Sequence, residues 1–508
     1  NAVSITDKNA VALDAIKAAS LTLKAGGSVT QNAAATVTGA TSVDAKGFDV
    51  SLNNADNDFG SVGAIGNAVS ITDKNAVALD AINATSLTVK AGGSVTQNAA
   101  ATVSGATSVD AKGFDVSLDA KGNDLNTVSA NANNLSIADG KGGVVLDQIT
   151  ATGNTSVSSL GGAITQTEAG VISASNGTTT LSASVEGIAA NVTLANAGND
   201  FKSIGVTGDA VSITDKTGVA LDAITANSLK LQAGGDVTQN AAATVTGVTS
   251  VDAGTNAVAL TQAGNDFGNL GVTGGSVSIT DTNAVALDAI KANSLTVKAG
   301  GDVSQVADKA LDVTGATSVD AGANTVTLAN ANNDFGSVSV TANDVSLFDS
   351  AGGVVLGAVV ATGNFNLSNT NGAITQTPES VLQIEGDIGL SSTGDIELAN
   401  LGNRFDGDFR LKGNDVTLGS DSLIRIVERD VRRLTLLGAP NANMTEREAA
   451  IANAQALEPK MALPSEREAM EERSGDVAPF FIAANQPRAN GPAQLVVVNG
   501  GIRLPNMT

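Results

Sequence analysis

Residues 1–52 return at 67–118 with four substitutions. A segment copied almost whole at a 66-residue interval must fold in a way that tolerates its own copy as a neighbour, and few architectures do. The opening Asn1-Ala2-Val3-Ser4-Ile5-Thr6-Asp7 comes back as Ser136-Ile137-Ala138-Asp139, Ser212-Ile213-Thr214-Asp215, Ser278-Ile279-Thr280-Asp281 and Ser346-Leu347-Phe348-Asp349. The chain is an array of one small unit, which favours a surface or a fibre over a single catalytic pocket.

The unit divides further. Ser20-Leu21, Ser42-Val43, Ser61-Val62 and Ser86-Leu87 recur at steps of about 22 residues, so the repeat reads as three turns of something smaller. Runs such as Ser20-Leu21-Thr22-Leu23-Lys24-Ala25 and Val192-Thr193-Leu194 alternate at period 2, the strand signal, and no helical stripe precedes residue 420. Short strands punctuated by Gly-Gly, Gly-Asn and Asn-Asp predict an all-β chain coiled as a parallel β-solenoid, climbing one strand spacing of about 4.8 Å per turn. Aromatic residues make up 2% of the chain and all are Phe. That suits a thin interior in which stacked Val, Ile, Leu and Ala bury methyl groups at about 25 cal/mol per Å². Phe59, Phe201, Phe267, Phe335 and Phe405 each follow Asn-Asp or Asn-Arg, with Leu125 in place of one. They read as corner residues plugging the core beside a turn; the rival is an exposed aromatic row for gripping sugar.

There is no Cys, His, Trp or Tyr, and the net charge is −23. Without Cys and His there is no disulfide framework, thiolate nucleophile, imidazole proton shuttle or zinc finger, so triad hydrolases, zincins and thiol enzymes are excluded. The acidity argues against nucleic acid and anionic lipid as partners, and no run of 18 apolar residues is present for membrane insertion. The sequence opens at a position equivalent to Asn67, the expectation being a processed or truncated piece of something longer.

Composition changes near residue 420. All four Met, seven of eight Pro and nine of eleven Arg lie beyond it. The array carries 18 basic against 40 acidic residues, and the tail ten against eleven. The reading is thus a solenoid over 1–420 and a mixed helical and extended region over 421–508 that caps or assembles. Thr445-Glu446-Arg447-Glu448 and Ser465-Glu466-Arg467-Glu468 fit capping boxes, predicting short helices near 445–458 and 465–474. Ile424, Val427, Val431 and Leu434 fall at helical spacing, while Leu434-Thr435-Leu436-Leu437 resembles a last coil, and the sequence leaves both open. Gln494-Leu495-Val496-Val497-Val498 is a strong short strand. It can cover the open edge of the chain's own last coil, or Leu495, Val496, Val497 and Val498 can add a strand to a neighbour and build a head-to-tail filament.

Some repeated residues look like sites. Asp7, Asp73, Asp139, Asp215, Asp281 and Asp349 share one position, about 14 Å apart if three coils separate them. That is too far for one calcium ion, and they read as solvated turn residues. Gly26-Gly27, Gly92-Gly93, Gly161-Gly162, Gly234-Gly235 and Gly300-Gly301 look like corners needing positive φ, each before a triplet ending in Gln that forms an amide ladder or caps a strand. No helix or Lys follows them as a phosphate cradle requires. Thr rows such as Ala35-Thr36-Val37-Thr38 recur too seldom for an ice-binding grid. No catalytic, cofactor or metal residues are assigned.

Ala263-Gly264-Asn265-Asp266-Phe267-Gly268, then Val272-Thr273-Gly274-Gly275-Ser276-Val277-Ser278-Ile279-Thr280-Asp281, then Ala299-Gly300-Gly301-Asp302-Val303-Ser304-Gln305, resemble the repeats of filamentous-haemagglutinin-like, two-partner-secretion exoproteins of Gram-negative bacteria, over residues 1 to about 420. The resemblance implies a right-handed parallel β-helix, export unfolded through an outer-membrane secretion partner, and a secreted or cell-surface adhesin or matrix role. The function expected is a non-enzymatic extracellular structural protein forming a rod or filament by self-association. The alternatives are a surface adhesin for a glycan or receptor and, behind it, a polysaccharide-acting β-helix enzyme.

Overall fold

Period-2 alternation puts every second side chain of a strand on one face, and here that face is the inside of a coil. In Ser20–Ala25, Leu21, Leu23 and Ala25 are at most 1% exposed, while Thr22 and Lys24 point to solvent. The computed structural model describes residues 1–438 and the strand Gln494–Val498, so the helices expected near 445–458 and 465–474 lie outside the described residues. No helix occurs among the described residues. The fold is an all-β parallel β-solenoid of about 22 turns, each about 20 residues long. Its contacts divide it into two compact units, Asn1–Gln262 and Ala263–Thr508.

In the first unit the stacking register can be followed residue by residue. One ladder runs Val11, Val29, Val50, Val69, Leu87, Thr107, Val128, Leu146. It thus returns to the Val-x-Leu motif of Val11–Leu13 only at Val144–Leu146, two repeats and seven turns on. The copy one repeat on, Val77–Leu79, sits in a second ladder, which runs Val77, Val95, Val116, Leu135, Thr155, Thr179. The repeat therefore occupies three and a half turns, where its Ser-apolar spacing predicts three. The miscount has a physical origin: three-residue strands such as Val11–Leu13 and Val50–Leu52 each contribute a rung yet are too short to show a period. As a consequence, successive copies of any motif face opposite sides.

The first unit carries one departure from parallel pairing. Ile172–Val185 runs on into an antiparallel hairpin with Ile188–Ala189, turning at Glu186 and Gly187 with φ of 50° and 82°, and also pairs antiparallel with Gly161–Gly162. Four residues more than in the first repeat separate Ala183 from Ala190, whose N–H bonds the Ala183 carbonyl as Phe48 bonds that of Ala45.

In the second unit, Asp266–Asp281 and Val285–Ala299 pair along most of their length. The segment left open between helix and coil is a strand, Arg425–Gly438, parallel to Asp408–Ser420. Ile426 and Leu434 point inward and Val427 is 40% exposed, so the helical spacing of Ile424, Val427, Val431 and Leu434 does not describe one buried face. Coiling continues to Gly438.

Candidate functional site

Buried polar groups concentrate at one point of the repeat. Asn57, Asn123, Asn199, Asn265, Asn333 and Asn403 are fully buried, and each lies two residues before the Phe or Leu that plugs the corner. Asn57 Oδ1 accepts from Gln31 Nε2 at 2.9 Å and from Ala35 N at 2.8 Å; its Nδ2 donates to Gln31 Oε1, Leu52 O and Thr72 O at 2.9, 3.2 and 3.1 Å. The same reciprocal amide pair joins Gln97 to Asn123, Gln166 to Asn199, Gln305 to Asn333 and Gln376 to Asn403. One side chain thereby ties three consecutive turns where the backbone leaves its ladder to round a corner. An unpaired buried amide or carbonyl there would cost about 1–3 kcal/mol.

The carboxylate row completes this latch. Asp73, Asp139, Asp215, Asp281 and Asp349 are at most 3% exposed, contrary to the expectation of solvated turn residues. Only Asp7, in the first turn, is exposed. Asp73 Oδ2 accepts the backbone N–H of Phe59 at 2.6 Å and Oδ1 that of Asn75 at 2.9 Å; Asp215 and Asp281 repeat both bonds. The carboxylate turns inward because the corner leaves the N–H of the Phe without a ladder partner. Burial pushes the pKa of all five upward against the pull of these bonds, to about 6 for Asp139 and Asp349. In the last latch Ser422 Oγ takes the N–H of Phe405, bonded in turn to Ser420.

The glycine pairs also differ from expectation. None of Gly26, Gly27, Gly92, Gly93, Gly161, Gly162, Gly234, Gly235, Gly300 or Gly301 has positive φ. They are required because coils approach closely: a Cβ on Gly92 would lie 2.0 Å from Lys74 O. Positive φ occurs at the same corner one coil on, at Lys46-Gly47 above Gly26-Gly27 and at Lys112-Gly113 above Gly92-Gly93. The plugs Phe59, Phe201, Phe267, Phe335, Phe405 and Leu125 are each 1% exposed, which removes them as a sugar-gripping row. Phe48 and Phe114, not singled out in the sequence, are instead 50% and 51% exposed. The Gln residues cap by pairing with the Asn, a partnership visible only as a recurring separation, 26 residues for both Gln31–Asn57 and Gln97–Asn123.

Strand Gln494–Val498 lies parallel on the last coil, with Leu495, Val496, Val497 and Val498 in register with Leu434, Thr435, Leu436 and Leu437 of the same chain. Among the described residues, then, the repeated polar groups hold coils together.

No curated protein and no solved structure matches the chain. A family described as Repeats of unknown function (DUF5649) matches six consecutive segments, 1–65, 66–131, 132–207, 208–273, 274–342 and 342–412. The third segment is the longest and contains the hairpin, so the family's unit coincides with the one that the latch punctuates, and the chain belongs to this family of repeats.

Proposed function

We propose that the chain is a non-enzymatic structural repeat protein of the bacterial surface or extracellular matrix, which self-associates head to tail through its C-terminal strand. The observation that carries this reading is the pairing of Gln494–Val498 on Arg433–Leu437. The strand uses the same parallel register that coils use on one another, so the edge of a last coil accepts a strand irrespective of which chain supplies it. A contact of this kind does not close on itself and propagates as a filament. Export and surface localisation rest on the resemblance of the repeats to filamentous-haemagglutinin-like exoproteins, and the acidic surface suits a soluble extracellular array.

The test is microscopy and sedimentation of the full chain beside Val497→Asp. Fibres from the parent that disappear in the variant, with unchanged circular dichroism, support the reading; fibres that persist in the variant refute the strand exchange. A second reading, a surface adhesin, draws on the half-exposed Phe48 and Phe114, which offer apolar faces to a sugar ring or receptor. Isolated rods that bind glycan and lose binding on Phe48→Ser and Phe114→Ser would favour it.

A further inference from the structure

The carboxylate row is not uniform. Asp73, Asp215 and Asp281 are each followed by three residues before the next strand, and both of their oxygens accept a backbone N–H. Asp139 and Asp349 are followed by four, Gly140-Lys141-Gly142-Gly143 and Ser350-Ala351-Gly352-Gly353. The added residue and the positive φ of Gly142, Gly143, Gly352 and Gly353 carry the turn away from the carboxylate. In the second case Gly353 N bonds Ala351 O at 2.9 Å instead. Each of these two Asp keeps one well-formed bond, from Leu125 N at 2.8 Å and from Phe335 N at 2.9 Å; the N–H groups of Lys141 and Gly143 pull only weakly on Asp139, and in both residues Oδ2 is buried with no partner in hydrogen-bond geometry.

We propose that Asp139 and Asp349 are proton-bearing seats, one in each compact unit, through which the array becomes more stable as the medium turns from neutral to mildly acidic. A carboxylate buried with an oxygen unpaired is costly, and a proton removes its charge. The groups facing the seats do not relieve that cost. From the coil below come Asp124 and Asp334, both anionic, and the next strand offers in register Ser159 and Asn369, both neutral. Ser159 Oγ is itself buried without a partner. Lys121 and Lys141 lie in the turns around Asp139 and form no ion pair with it, and the turn after Asp349 holds no cation. By contrast the latches of Asp73 and Asp215 have an adjacent ion pair, Lys74 to Asp58 at 2.9 Å and Lys216 to Asp200 at 3.0 Å.

The background is unusually silent. With no His and no Cys, the chain has no side chain of ordinary affinity titrating between pH 5 and 7.5, which leaves that window to Asp139 and Asp349. Burial first, then the charge of Asp124 or Asp334, lifts the two seats into that window.

The test compares urea unfolding of the full chain at pH 5 and pH 7.5 with that of the Asp139→Asn, Asp349→Asn double variant. The parent should unfold at higher urea at pH 5; the variant should exceed the parent at pH 7.5 and show little difference between the two. A parent indifferent to pH, or a variant that keeps the parent's difference, overturns the proposal. Infrared difference spectra of the parent between the same pH values guard against a variant that fails to fold. They should show a protonated-carboxyl band of about two groups, and absence of that band would also overturn it.

Discussion

Asn57→Ala is the sharpest perturbation of the latch, because the substitution fits the space and removes only hydrogen bonds. The side chain makes five, two of them to Gln31 and three to the backbone at Ala35, Leu52 and Thr72. Gln31 is part-exposed and can turn to water, so its loss is small. The N–H of Ala35 is buried and left without a partner, at about 1–3 kcal/mol, and the Leu52 carbonyl loses part of its satisfaction at about 1 kcal/mol. The cavity of the missing amide adds about 1 kcal/mol. A total near 3–5 kcal/mol should fall on the turns around residues 31–73, because stability in a stack is nearly a sum of neighbour terms. Hydrogen exchange resolved to peptides is the assay. Exchange at Ala35 and its ladder neighbours should accelerate by about two to four orders of magnitude, while the latch at Asn123 stays protected. Asn57→Asp should be at least as damaging, since a carboxylate cannot donate to Leu52 and Thr72 and buries a charge. Protection at Ala35 within tenfold of the parent would refute the latch as the element joining turns.

Asp139 offers a signed pH effect. Its affinity for protons is higher in the fold, about 6 against an ordinary 3.8, so stability is fully present below the lower value and lost as pH rises through the upper one. Between pH 7.5 and 5 this amounts to roughly 1.4 kcal/mol for the one site, and Asp139→Asn should raise the pH 7.5 unfolding midpoint accordingly, as measured in urea. Thr107 stands in a ladder between Leu87 and Val128, 1% exposed, with its hydroxyl unpartnered. Thr107→Val should therefore stabilise by about 1 kcal/mol, seen as a higher thermal midpoint; a lower midpoint would mean the hydroxyl has a partner in solution.

Most of the fold was legible in the sequence because the solenoid is local: repetition, period-2 runs and small side chains each point to stacked short strands. The plugs were legible for the same reason, since Phe at a fixed offset from a turn has one apolar place to go. The latch was not, because Asn and Asp are the commonest turn residues and their chemistry is the same in or out of water. What sends Asn57 and Asp73 inward is a set of backbone donors and carbonyls orphaned at the corner, which no pattern of side chains reveals. The glycine pairs misled similarly. Positive φ and close approach both demand Gly, and only the 2.0 Å spacing at Gly92 separates them.

The phase between repeat and coil carries the largest consequence for function, and it is measurable. Were the repeat three turns, every copy of a motif would stand above the last, about 14 Å apart, and the array would present one decorated side. At three and a half turns the corner holding Lys46 and the corner holding Lys112 belong to opposite sides, because Val50 and Val116 that follow them lie on different ladders. The axial rise is then about 17 Å, and a strand of five or so residues adds a lateral offset on the order of 20 Å, giving about 25 Å between corners. The chain has no cysteine, so Lys46→Cys and Lys112→Cys can be spin-labelled without background, at exposed positions. A dipolar distance centred near 25 Å or beyond, label arms included, is expected. A distribution centred near 14 Å would mean that the copies stack on one side. In the expected case each motif recurs on one side only every two repeats, and two sides carry the same surface one repeat out of step.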